Sequence, residues 1–463
     1  MFNKKFINLT IVISFMFGIS FLGANVSAQP KRDEKKAEKL VKDGNNLFNR
    51  REYRDAINKY AEAISLVPTM SVAHYWKGYA HYYLKEFDPA LTELDTAFNQ
   101  GYSPDAIYQV RWYVNYQKGN YDAALSDAQK VLQTNPNEVN LLAAVGDIYR
   151  SKGDYTNALA TFKKVAEKNP QNGGDIAYYI AEANYNLGNT TDQGIAAADA
   201  IKKNTQFNGE AWFLIADALQ KNRQFEQAIE AYERSITGNR KIINTYNNLA
   251  ELYRSRGMYK KSVETMQKGL KEFPNDGTLY GNMSWYYSLA EEGPAALAAG
   301  QKAVELAPDQ YMGYTNLCRA YNDMKLYQQA IKTCNDALKM QPGDGETNLY
   351  LGLAYDRLKQ SAAAKDYFKK AITGLNEFTR NNPDYSDGFY LLGNAYFYSG
   401  DDKSAMEAYR KTIELSPRFA RARYNLGVIY FINGKKDLAQ EQYNALKEID
   451  TKIAADLYQI MNK

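Results

Sequence analysis

Aromatic, small and proline residues recur along this chain with a period of 34 residues. Tyr246, Leu249, Ala250 and Tyr253 are followed by Ser262, Met266, Gly269 and Pro274. The same order returns, displaced by 68 residues, at Tyr314, Leu317, Cys318, Tyr321, Ala330, Cys334, Ala337 and Pro342. Leu142, Val145, Gly146, Tyr149, Ala158, Phe162 and Pro170 form another copy. Within a period, positions 4, 8 and 11 share one helical face, and a second helical stretch follows after a short break. Each period therefore predicts two antiparallel helices. Small residues at position 8 (Gly44, Gly78, Gly146, Gly352, Gly393, Gly427) and position 20 (Ala56, Ala124, Ala330, Ala439) let the pair approach closely. Aromatic residues at positions 4, 11, 17 and 24 fill the space between them, and Pro at position 32 stops the second helix.

Twelve such periods begin near Ala37, Ser71, Asp105, Val139, Asp175, Gly209, Ile243, Gly277, Tyr311, Gly345, Ser386 and Ala420. The pattern resembles the tetratricopeptide repeat family, with its W-x2-L-G-x2-Y start followed by Ala, an aromatic, Ala and Pro. The resemblance implies an all-α, right-handed superhelical α-solenoid of about 12 helix-turn-helix repeats over residues 37–450. Each repeat would bury its faces only against its neighbours. Ile453, Leu457, Ile460 and Met461 share a helical face, so residues 451–463 are expected to cap the last repeat. Residues 29–36 hold a charge run, Lys31 to Lys36, that reads as a solvated helical turn. Repeat 5, with Gly173, Gly174 and Gly194, is the weakest joint. Repeat 10 carries seven extra residues, about 372–385, which predict a lengthened second helix. That insertion is either an inert edge elaboration, the favoured reading, or a docking feature.

Residues 1–28 break the pattern. Lys4 and Lys5 precede an apolar run from Phe6 to Leu22, and Val26 and Ala28 place small residues before Gln29. This is the layout of a cleaved signal peptide. The run is short and carries Asn8, Thr10 and Ser14, which argues against a retained span. No Cys near the cleavage site offers a lipid anchor, and no second long apolar run follows. The expectation is an exported chain, periplasmic or extracellular, in a compartment that permits disulfides. Peripheral association with the envelope is compatible with it.

Composition narrows the chemistry. The net charge is +4, and it falls to +2 without residues 1–28. That is too neutral for charge-driven nucleic-acid binding. Two His and two Cys leave little for a metal site. His74 and His81 occupy core positions 4 and 11 and are expected to be packed and hydrogen-bonded. Cys318 and Cys334 stand at positions 8 and 24 of one repeat, either as two buried thiols or as a disulfide. No phosphate-binding loop, nucleophile elbow, zinc-protease or calcium-loop motif is present, so no enzyme, catalytic residue or cofactor is expected.

The resemblance also implies that positions 2, 5, 9, 12 and 13 of the first helices line a concave groove. Repeats 2 and 3 place Tyr75, Tyr79, Tyr82, Tyr83, Tyr113 and Tyr116 there, outside the expected core positions. The middle repeats place Asn247, Arg254, Arg319 and Asn322, and the later ones Tyr390, Asn394 and Tyr398. Exposed tyrosines bury large area at small entropic cost and make good anchors, although they can also pack on neighbouring repeats. The family's Lys/Asn/Arg clamp for a peptide carboxylate is incomplete, with Val41 where a Lys would stand. Together these features point to an exported scaffold that binds a protein or peptide, in envelope or secretion-complex assembly. Aromatic faces also stack on sugars, so a glycan-binding or polysaccharide-guiding protein is the alternative.

Overall fold

The computed structural model describes residues 28–170, 173–238 and 240–462. Among these residues it contains 25 α-helices and no strands. The expected leader at residues 1–28 lies, apart from Ala28, outside the described residues. The charged residues Lys31 to Lys36 are exposed in the helix Ala28–Asn49. No helix among the described residues is long and apolar enough to cross a membrane.

The described residues divide into two compact units, one up to Thr161 and the other from Phe162 onward. The first stacks the hairpins Ala28–Asn49/Tyr53–Leu66, Ser71–Tyr83/Phe87–Asn99 and Pro104–Lys118/Tyr121–Thr134, followed by Val139–Ser151. The second runs from the hairpin Gly174–Leu187/Thr190–Lys202 to Ala420–Ile432/Lys436–Lys447 and ends in Thr451–Met461. In both units each helix packs on the next in sequence, the arrangement of a solenoid. The last helix buries Ala454 and Leu457 with Ala420 and Leu446.

Two repeat positions explain how each hairpin closes. In repeats 1, 10 and 11 the glycine at position 8 receives the ring at position 24. A Cβ on Gly352 would lie 2.7 Å from the Phe368 ring, and one on Gly393 would lie 2.6 Å from Tyr409. Where position 24 is small, position 8 carries a larger group, as with Ser284 and Gly300. Cys318 and Cys334 occupy the same pair of positions and are joined as a disulfide, with Cα atoms 5.4 Å apart. We expect Gly352→Val to cost about 1–3 kcal/mol by overpacking. Urea unfolding measures this, and adding Phe368→Leu should recover part of the loss.

Position 15 turns the chain between the two helices in the left-handed region. Gly257 and Gly434 supply it without a Cβ penalty. Arg51, Lys85, Arg223, Glu291, Lys325 and Lys359 adopt it too, with φ between 59° and 65°. The second helix of repeat 10, Ser361–Asn381, has 21 residues where its neighbour Tyr327–Met340 has 14. It crosses its partner closely, because a Cβ on Gly345 would lie 2.5 Å from the Leu375 backbone nitrogen.

Candidate functional site

In the first unit the tyrosine cluster is only partly a surface. Tyr75 is 0% and Tyr79 5% exposed, and both belong to a core with Leu94, Ile107 and Val110. This corrects the expectation that they lie outside the core. Large side chains from the preceding first helix and from the connection before the next one fill the gap beside them. Tyr75 stacks on Tyr102 at 4.5 Å, and Tyr79 stacks on Phe48 at 5.3 Å. Burial pushes both hydroxyls above their ordinary range. Tyr82 meets Tyr113 edge to face, and Tyr116 donates to the Asp147 carboxylate. Tyr83, 42% exposed, stacks on Tyr53 at 4.9 Å. Changing Tyr79 would therefore disturb packing before it disturbed a partner. His74 is held by Glu93 at 2.6 Å and the Pro68 carbonyl at 3.1 Å, and His81 by Glu86 at 2.6 Å.

In the second unit a cavity of about 600 Å³ opens along the first helices of repeats 7 to 12. Arg254, Trp285, Arg319, Glu346, Asp387 and Arg421 line it, one from each of the six repeats. It therefore gathers Arg254, Arg319, Tyr390 and Asn394 of the expected groove residues. Asn247, Asn322 and Tyr398 lie outside its wall. Asn247 accepts from Asn282 at 3.0 Å, and Asn322 donates to the Cys318 and Tyr350 carbonyls. Tyr398 stacks on Phe368 at 5.6 Å.

The two arginines expected to face a partner are instead buried and internally paired. Arg254, 6% exposed, donates through both Nη atoms to Asp387, each at 2.8 Å, and through Nε to Glu251 at 2.8 Å. Burial alone would lower its pKa, but Asp387 and Glu251 outweigh that and hold it well above the ordinary arginine value. Arg319, 8% exposed, donates to the Tyr350 hydroxyl at 2.5 Å and pairs with Glu346. Its guanidinium lies 4.8 Å from the Tyr350 ring and 5.4 Å from that of Trp285. Its Nη1 has no hydrogen-bond partner. Asp323 is exposed in this wall, yet the enclosing protein raises its carboxyl above the ordinary value, opposed by Arg319 and Arg421. Asn394 Oδ1 accepts from Tyr409 at 2.7 Å and from Asn425 at 3.0 Å, which leaves its amide N–H groups free of those bonds. Tyr390 packs on Phe419 at 4.9 Å.

The site includes residues that sequence reasoning passed over. Glu346, Asp387 and Arg421 all occupy position 2, and Trp285 occupies position 9, so a repeat-register signal for them existed. Tyr259, from a second helix, carried none. The insertion of repeat 10 supplies Gly374, Leu375, Glu377 and Phe378 to the wall, so it lies at the cavity rather than on a remote edge.

Family models for tetratricopeptide repeats match residues 42–104, 114–173, 209–241, 243–276, 313–344, 346–373 and 420–453, and a further repeat model matches 393–434. The chain belongs to the tetratricopeptide repeat family. Similar proteins include the small glutamine-rich tetratricopeptide repeat-containing protein 2 of Saccharomyces cerevisiae, 32% identical over 108 residues and 23% of this chain. The BBSome complex member BBS4 homolog of Drosophila melanogaster is 20% identical over 344 residues, 73% of this chain. The tetratricopeptide chain described here covers 31% and 64% of those relatives' own lengths, less than two thirds of either. Among solved structures, yeast Tom70 aligns over 93% of this chain and 95% of its own, with 15% identity and a TM-score of 0.40.

Proposed function

We propose that this chain is an exported, non-catalytic scaffold that holds a polypeptide segment of a partner in the cavity of its second unit. The observation that carries this reading is the cavity wall itself. Six consecutive repeats each contribute a side chain to one cavity of about 600 Å³. That volume lies in the range of specific binding sites. The wall mixes aromatic faces (Trp285, Tyr390) with amides and charges of both signs (Asn394, Asp323, Arg319), which suits the donors, acceptors and side chains of a peptide. The relative named as a BBSome complex member supports an assembly role. For this chain we place that role in a cell-envelope or secretion complex, reached through the leader at residues 1–28.

Peptides selected from a random displayed library against the full chain should bind saturably and change the fluorescence of Trp285. The change should vanish in Trp285→Phe while binding persists. Binding with no Trp285 signal would place the site elsewhere. Saturable binding of oligosaccharides but of no peptide would replace this reading with the glycan one. N-terminal sequencing of the protein recovered from the envelope or medium should begin at Gln29, and retention of Met1 in the cytoplasm would refute export.

A further inference from the structure

A solenoid repeat is expected to touch only its neighbours. Bonds between adjacent repeats, such as Asn282 to Asn247, span 35 residues. Among the described residues, three contacts of the second unit break this rule, and all join repeats 7 and 8 to its far end. Arg254 holds Asp387 across 133 residues by two bonds of 2.8 Å. Arg421 Nη2 donates to the Leu289 carbonyl across 132 residues at 3.0 Å, and its guanidinium lies 5.8 Å from the Tyr259 ring. Lys452 pairs with Glu291 across 161 residues. The intervening repeats arch between these points, and the cavity lies within the arch, walled by residues from both sides of the contacts.

We infer that these three contacts form a clasp that holds the second unit closed around its cavity, and that the clasp must open to admit a polypeptide. The gating part rests on the peptide-binding reading above; the clasp itself does not. Its centre is the buried Arg254–Asp387 pair. Its rim is the exposed Lys452–Glu291 pair, with side chains 69% and 64% exposed. A buried bidentate arginine–carboxylate pair has one good geometry, so it favours two discrete states over a gradual widening. The insertion fits this role, since it ends directly before the helix Ser386–Ser399, whose second residue is Asp387. The closed population limits entry, because a ligand that needs the open form binds in proportion to the fraction that is open.

The rim pair allows a direct test on the full chain. A carbodiimide joins a lysine to a carboxylate only when they touch, so the closed wild-type form should yield, on treatment, a cross-linked peptide containing Glu291 and Lys452. In Asp387→Asn the yield should fall at least fivefold, and selected peptides should associate at least fivefold faster. Arg421→Gln, which leaves the buried pair intact, should shift both readouts in the same direction; far-UV circular dichroism checks that each variant keeps its helices. Absence of the cross-link in the wild type, or an unchanged yield in both folded variants, overturns the clasp. A reduced yield with unchanged association rates overturns the gate. If no peptide binds any of the proteins, the peptide-binding reading and the gate fall together, while the cross-link still decides the clasp.

Discussion

Arg254→Ala should destabilise the second unit by about 3–5 kcal/mol, the usual consequence of removing one partner from a buried ion pair. Asp387, 7% exposed, would lose its partner in a site that offers little water. Glu251 would lose its partner as well, and Trp285 would lose the guanidinium 4.8 Å from its ring. Because repeat arrays need not unfold in one step, the quantity to follow is the transition of the second unit in urea, read by circular dichroism and tyrosine fluorescence. The double variant Arg254→Met with Asp387→Leu should regain most of the loss, since apolar residues of similar volume often replace a buried pair without cost. A loss below about 1 kcal/mol in the single variant would mean that the pair is far better solvated than its burial indicates.

The second large effect concerns Cys318 and Cys334. They join the helices Tyr311–Asp323 and Tyr327–Met340 across 16 residues, and both are fully buried. Thiol titration of the unfolded, unreduced protein should find no free thiol. Replacing both with alanine should cost about 3 kcal/mol, the loop-entropy value for a cross-link of this span. Recovery of two free thiols from the native source would contradict both the bond and the oxidising compartment in which it persists.

The repeat period was legible because its causes are local. Glycine at position 8, alanine at position 20 and proline at position 32 act within one hairpin, and they recur in the sequence wherever that hairpin recurs. The 8–24 complement shows why Gly352 faces Phe368 while Cys318 faces Cys334. The turn at position 15 was harder to see. Half of its occupants are lysine, arginine or glutamate, residues that do not advertise a left-handed backbone.

The groove was legible only in its register. Tyr75 and Tyr79 do stand at groove positions, but bulky neighbours such as Phe48 and Tyr102 close over them and turn surface into core. Arg254 and Arg319 point inward as expected, yet each already has a carboxylate partner. Glu346 belongs to the next repeat and was within reach of a neighbour argument. Asp387 lies 133 residues away from Arg254, and a 34-residue pattern carries no information about which distant repeats meet.

The central claim is that the cavity of the second unit is where a partner polypeptide is held. Hydrogen exchange of the full chain, with and without a saturating selected peptide, tests it most directly. The account predicts new protection concentrated in the first helices of repeats 7 to 11, at Ile243–Ser255, Gly277–Leu289, Tyr311–Asp323, Gly345–Arg357 and Ser386–Ser399. Protection confined to the first unit, or to the outer second helices, would contradict it.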